Sequence, residues 1–219
     1  MLFIAGCMAP DQHSEDPDLL LKHVATVQRA VDHYQQQFGT LPVKEGQGNL
    51  KKEKWVHFEE LKGFLEEVPP SAFEQGGYFR YILMGSEQDP VVKLVDLRVS
   101  KVVGEVQQLV DTYRQKHQQL PRGEKIGDRL YTLDFSRLGS EVVTIPSPYT
   151  MGMSLPLIIT DTGKVYVDYR ADVMRKMEEV GAPEEGVAVF QWLAGETPFA
   201  PAHGYPLKVK KGEPVFGEF

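Results

Sequence analysis

Sulfur chemistry is almost missing from this chain. Cys7 is the only cysteine in 219 residues, so no disulfide can close within the chain and no thiolate cluster can hold a metal. Long apolar runs are missing as well. No stretch of about 18 apolar residues follows the first few positions, which argues against a spanning helix in the body of the chain. A basic surplus is also absent. Lys and Arg number 24 against 31 Asp and Glu, a net charge of −7; this argues against nucleic acid and anionic surfaces as partners, because phosphate binding needs clustered cations. The six histidines lack the spacing and acidic company that suit zinc. There is no Gly-rich phosphate loop, no Gly-x-Ser-x-Gly elbow and no Ser-x-x-Lys. No cofactor, no metal and no catalytic residue is therefore expected. What remains is 42% hydrophobic and 25% charged, ordinary for a globular protein.

The lone cysteine follows Ile4-Ala5-Gly6, the pattern of a bacterial lipobox. The thiol is the side chain that accepts the lipid, and the small residues before it let the chain lie flat in the signal peptidase. Cys7 is the expected lipidation site, which puts the protein at the extracytoplasmic face of the cell membrane as a lipid-anchored lipoprotein. A secretory leader needs a basic start and roughly 7–15 apolar residues, yet only Met1 to Gly6 precede Cys7, so either the true start lies upstream or the chain is truncated. The competing reading is a free cysteine packed as a small hydrophobe. Met8 to Asp18, with Pro10, Pro17 and four acidic residues, reads as a polar tether.

The body reads as written twice. Val27-Gln28, Val31-Asp32, Tyr34, Gln36 and Leu41-Pro42 recur at one constant spacing as Val106-Gln107, Val110-Asp111, Tyr113, Gln115 and Leu120-Pro121. Phe58 and Leu61 then match Phe135 and Leu138. Pro70-Ser71 and Phe73 match Pro146-Ser147 and Tyr149, and Val95-Asp96-Leu97-Arg98 matches Val167-Asp168-Tyr169-Arg170. The spacing shrinks along the way, so the second copy has shorter loops.

Each copy opens on an amphipathic helix. Leu20, Val24, Val27, Val31, Tyr34 and Phe38 form one stripe, and Val99, Val103, Val106, Val110 and Tyr113 form the other. Asp16-Pro17 suits the first helix start, and Gly39, Pro42 and Pro121 suit the ends. Short segments at Trp55-Val56-His57 and Leu130-Tyr131-Thr132-Leu133 lead into helical turns at Phe58 to Leu65 and Phe135 to Leu138. Each copy closes on a hairpin: Tyr78 to Met84 with Val91 to Val95, and Leu157 to Thr160 with Lys164 to Val167. A third helix is expected over Ala171 to Val180. The expected fold is α+β: two tandem copies of a module made of a helix and a small antiparallel sheet, related by a pseudo-twofold. The expected divisions are 1–18 for lipobox and tether, 19–96 and 97–180 for the copies, and 181–219 for the tail. That tail carries six Gly and five Pro together with Phe190, Trp192, Phe199 and Tyr205. It reads either as an irregular segment packed on the modules or as an exposed patch for a partner.

Asp161-Thr162-Gly163 after an apolar strand matches the triplet of aspartic proteases, which need two carboxylates sharing a proton. The first copy has Ser86-Glu87-Gln88-Asp89-Pro90 there, so a hairpin turn is the simpler reading. Asp96 and Asp168 are expected to cap the helices that follow them. Gln28, Asp32 and Gln36 can hydrogen-bond along one helix flank. Trp55, His57, Tyr131 and Asp134 are weak candidates for a ligand cleft between modules.

Cys7-Met8 with Pro10, Val27-Gln28 with Ala30-Val31-Asp32, Pro70 with Ala72-Phe73-Glu74 and Gly76-Gly77, the two Val-Asp-x-Arg segments and Ser147-Pro148-Tyr149-Thr150 together resemble the YphF-type lipoproteins of Gram-positive, Bacillus-like bacteria. The resemblance runs from about Cys7 to Val173. It implies a lipoprotein, in a group sometimes labelled a binding protein of an ABC transporter, and it brings no catalytic residues. The expectation is a non-enzymatic, membrane-anchored envelope lipoprotein that binds or scaffolds, with an envelope protein or a small ligand as partner. The alternatives are a solute-binding component of an ABC transporter and an envelope hydrolase.

Overall fold

The computed structural model describes residues 16–45 and 54–217. Helix α1 (Pro17–Phe38) starts where the sequence suggests: the Asp16 carboxylate accepts the Asp18 N–H, and Pro17 occupies the first turn. It stops at Gly39, whose φ of 70° closes the last turn onto the Gln35 carbonyl. Leu20, Val27, Ala30 and Val31 are its buried face. Phe38 ends the expected stripe at the rim, 53% exposed, against Tyr34 and Phe64. Strands β1 (Val43–Glu45), β2 (Lys54–Val56), β3 (Phe79–Gly85) and β4 (Pro90–Asp96) follow. They form one antiparallel sheet in the order β1-β2-β3-β4. The expected helical turn over Phe58 to Leu65 is a run of turns, and a 3₁₀ turn falls at Phe73–Gln75.

Helix α2 (Leu97–His117) leaves β4 directly, capped by Asp96, and buries Val103, Val106 and Val110. After it come β5 (Arg122–Gly127), β6 (Leu130–Leu133), the short α3 (Phe135–Leu138), β7 (Thr144–Pro146), β8 (Ser154–Thr160) and β9 (Val165–Val167). In this second antiparallel sheet β5 pairs β6, β6 pairs β8, and β8 pairs both β7 and β9. Helices α4 (Arg170–Val180) and α5 (Val189–Ala194) and a hairpin, β10 (Leu207–Lys210) with β11 (Glu213–Phe216), complete the fold. Lys211 and Gly212 turn that hairpin with φ of 53° and 79°, the positive pair that a two-residue turn demands. The architecture is α+β, with five helices and three small antiparallel sheets among the described residues. None of these helices is long and apolar enough to cross a membrane.

Several residues matched between the two sequence segments make similar bonds. The Gln28 amide donates to Asp32 (2.8 Å) and to the Pro90 carbonyl (2.9 Å), while the Val92 N–H donates to Gln28 Oε1 (2.7 Å). Gln107 does the same with Asp111 (3.2 Å), the Gly163 carbonyl (2.9 Å) and the Val165 N–H (2.9 Å). Each glutamine thus fastens its helix to the start of the sheet's last strand. Asp96 takes both the N–H and the guanidinium of Arg98, as Asp168 does with Arg170, at 2.7 Å for each Nη2 contact. His57 N–H donates to the Pro42 carbonyl at 2.8 Å and Asp134 N–H to that of Pro121 at 2.9 Å.

One core lies under α1, around Leu61, Phe79, Tyr81 and Leu94. The other lies under α2, around Leu155, Leu157, Ile159 and Tyr169. The tail joins them. Residues 198–205 run parallel first to β4, exchanging Leu94 N–H to Pro198 O (2.8 Å) and Ala200 N–H to Leu94 O (2.9 Å). They then run parallel to β9, exchanging Val167 N–H to His203 O (2.9 Å) and Tyr205 N–H to Val167 O (3.3 Å). Phe199 packs into the first core, and Ala200 and Ala202 fill the space between Ile82, Val95 and Val99. Two lysines clasp the C-terminal end of α5, where carbonyls lack helical partners. Lys93 Nζ donates to Gly195 O (2.6 Å) and Thr197 O (2.5 Å), and Lys176 Nζ donates to Trp192 O and, at 3.1 Å, to Leu193 O.

Candidate functional site: an arginine-lined groove

Cys7 lies outside the described residues. The four cleft candidates have separate local roles. Trp55 on β2 lies under the Arg80 guanidinium, 4.4 Å from its ring centre, and joins the cluster of Ile82 and Ala200. His57 Nδ1 sits 3.0 Å from Glu60 Oε1, a hydrogen bond that holds the Glu60 carboxyl below its ordinary range. Tyr131 on β6 carries the Arg122 guanidinium 4.8 Å above its ring. Asp134 caps α3, accepting from the Ser136 and Arg137 N–H groups at 3.1 and 3.3 Å. They do not converge. Trp55 and His57 lie on and just after β2, whereas Tyr131 and Asp134 lie on and just after β6, where they contact Arg122 and Arg137.

The polar side chains that do converge surround the β8–β9 turn. A surface groove of about 700 Å³ is lined by Arg114 from the last turn of α2, Arg122 at the start of β5 and Arg137 of α3, with Gln119, Asp161 and Thr162. Arg114 Nη1 donates to the Thr162 carbonyl (3.3 Å) and Arg122 Nη2 to the Asp161 carbonyl (2.6 Å). Arg122 Nε is buried and has no hydrogen-bond partner. Arg137 pairs with Asp134 at 3.0 Å and stays half exposed. The Asp161 carboxylate is taken by Arg129, which, with Arg122 nearby, keeps it below the usual carboxylate range. Asp161-Thr162-Gly163 is a tight turn, with Gly163 N–H on Thr160 O at 3.1 Å and Gly163 at φ 90°. Its acid is ionised and paired, the opposite of a shared, half-protonated dyad.

Sequence reasoning missed this groove because its three arginines stand on three different elements, α2, β5 and α3, and share no spacing that marks a site. A signal existed in the copy comparison. In the sequence match Gln35 aligns with Arg114, and it donates to the Glu87 carbonyl in the β3–β4 turn, at 2.5 Å. Val43 and Glu60 stand where Arg122 and Arg137 are.

A second polar centre is buried. Asp172 of α4, 1% exposed, accepts from Ser147 Oγ (2.7 Å) and Thr150 Oγ1 (2.9 Å), while its Oδ2 has no hydrogen-bond partner. Burial raises its carboxyl above the ordinary value. Beside it the Tyr149 and Tyr169 hydroxyls donate to tail carbonyls, Phe199 O (3.3 Å) and Ala202 O (3.1 Å). Burial pushes both phenols up. Among the described residues no three His, Cys, Asp or Glu side chains are grouped to hold a metal ion.

No curated protein and no solved structure matches the chain. Residues 21–96, from the first turns of α1 to the end of β4, match the YphF family N-terminal domain, and the first half of the chain is similar to that family.

Proposed function

We propose that this chain is a non-enzymatic protein of the cell envelope, held by a lipid on Cys7 at the extracytoplasmic face of the membrane, and that its folded part binds or scaffolds. The anchor rests on Ile4-Ala5-Gly6-Cys7 and the acidic, proline-bearing segment behind it. A fully extended chain from Cys7 to the Asp16 cap of α1 reaches about 30 Å, so the folded part would stay close to the bilayer. We read the two halves as tandem copies of one module with a pseudo-twofold relation, as the repeated Gln, Asp–Arg and Pro-carbonyl bonds suggest.

The observation that carries the non-enzymatic reading is the Arg129–Asp161 ion pair. The one triplet with a catalytic look spends its carboxylate on fixing a turn. A solute-binding subunit closes two lobes over its ligand, whereas the arginine groove is lined by the second half alone. In cells expressing the gene from its native start, Cys7→Ala is expected to release the protein into the medium or to leave its leader uncleaved. Unchanged membrane retention and processing would overturn the anchor. Purified protein is expected to leave peptides and peptidoglycan intact; cleavage that disappears in Asp161→Asn would make it a hydrolase.

A further inference from the structure

We propose that the arginine groove of the second half binds a phosphate group, carried by a small phosphate ester or by a lipid headgroup. Three guanidinium groups reach it from three different elements. Each is a rigid fork of N–H donors suited to oxyanions. A planar carboxylate is satisfied by one such fork, whereas a tetrahedral phosphate presents oxygens in several directions and makes use of three. The hydrogen bonds that position Arg114 and Arg122 run to backbone carbonyls. Those neutral acceptors orient the side chains without neutralising them, although Arg122 also lies near the Asp161 carboxylate and Arg137 is paired with Asp134. Tyr131 fixes the plane of Arg122, whose buried Nε still lacks an acceptor. The carboxylate in the groove, Asp161, is engaged by Arg129, and Gln119 contributes a neutral amide.

On the tandem-copy reading proposed above, the first half is a version of the module that folds without these charges. Gln35 holds the Glu87 carbonyl as Arg114 holds that of Thr162, and Val43 and Glu60 replace the other two arginines. A concentration of cations that the fold does without, on a chain of net charge −7, points to a ligand. The overall charge argued against anionic partners because it averages the whole surface; the groove is the local exception.

The test titrates the full-length protein with inorganic phosphate and glycerol phosphate by calorimetry, against chloride at matched ionic strength. Arg114→Gln installs the residue of the first half, and Arg137→Gln removes a second charge. Each is expected to weaken binding about tenfold, the loss of one charge-assisted contact, and the pair to abolish it, with unchanged circular dichroism. Cys7→Ala protein is then mixed with phosphatidylglycerol or phosphatidylcholine vesicles. Binding of free phosphate that both variants weaken assigns the site to a soluble ester. Binding confined to phosphatidylglycerol and lost in the same variants assigns it to a headgroup. No binding in either arm, or binding indifferent to both variants, overturns the proposal. None of these outcomes depends on the lipid at Cys7, so failure here leaves the envelope reading standing.

Discussion

Asp172 is a buried carboxylate with one oxygen left without a partner. Its Oδ1 has two hydroxyl donors, yet Oδ2 is enclosed without one, and an ionised carboxylate there lacks the partners that offset burial. The raised carboxyl value has a direct thermodynamic meaning. The folded state holds its proton more tightly than the unfolded chain, whose carboxyl titrates near 3.8. Stability from this group is therefore complete below that value and declines as pH rises through the higher folded one. Asp172→Asn keeps an acceptor for Ser147 and Thr150 and removes the ionisation. Urea midpoints for the two proteins should diverge as pH climbs from about 4 towards 7, with the variant gaining on wild type. Parallel midpoints across that range would mean that Asp172 is ionised and compensated in the fold.

Helix and sheet are locked together in each half by a glutamine that reaches the backbone of the last strand. Removing it strands a Val N–H, at a cost of about 1–3 kcal/mol. Gln28→Ala and Gln107→Ala should each lower stability within that range in chemical denaturation. A neutral effect at one site would show that the two helices are fastened differently. These glutamines were visible in the sequence as repeated polar positions on α1 and α2, though a helix-flank bond to Asp32 or Asp111 was all that spacing implied. The helices and the closing hairpins were readable because burial imposes periodicity on Val27, Val31, Val106 and Val110, and on the strands ending at Val95 and Val167. Strand β5 was not, since Arg-Gly-Glu-Lys-Ile-Gly lies at a sheet edge with irregular register and has no apolar face to declare. The β10–β11 hairpin was missed although Lys211-Gly212 is a turn signal. The arginine groove escaped because Arg114, Arg122 and Arg137 meet only after α2, β5 and α3 have folded around the Asp161 turn.

The two halves share residues 198–205, which run beside both β4 and β9. Gly204 is the tightest point: a Cβ there would lie 2.5 Å from the Phe190 ring and 3.1 Å from that of Tyr169, well inside contact distance. Gly204→Val is expected to cost about 1–3 kcal/mol through overpacking and to loosen the strap from β9. Its lower denaturation midpoint should come with faster aggregation on warming, because an uncovered strand edge templates pairing with other chains. A midpoint within error of wild type would mean the strap has room to spare. The same strap sets the order in which the protein can be completed. Leu94 finds its partner in Phe199, across a loop of about a hundred residues whose closure must be met before the contact rewards it. As the chain is made or threaded from its N-terminus, β4 keeps an open edge, and the first core lacks Phe199, until the segment near residue 200 has emerged.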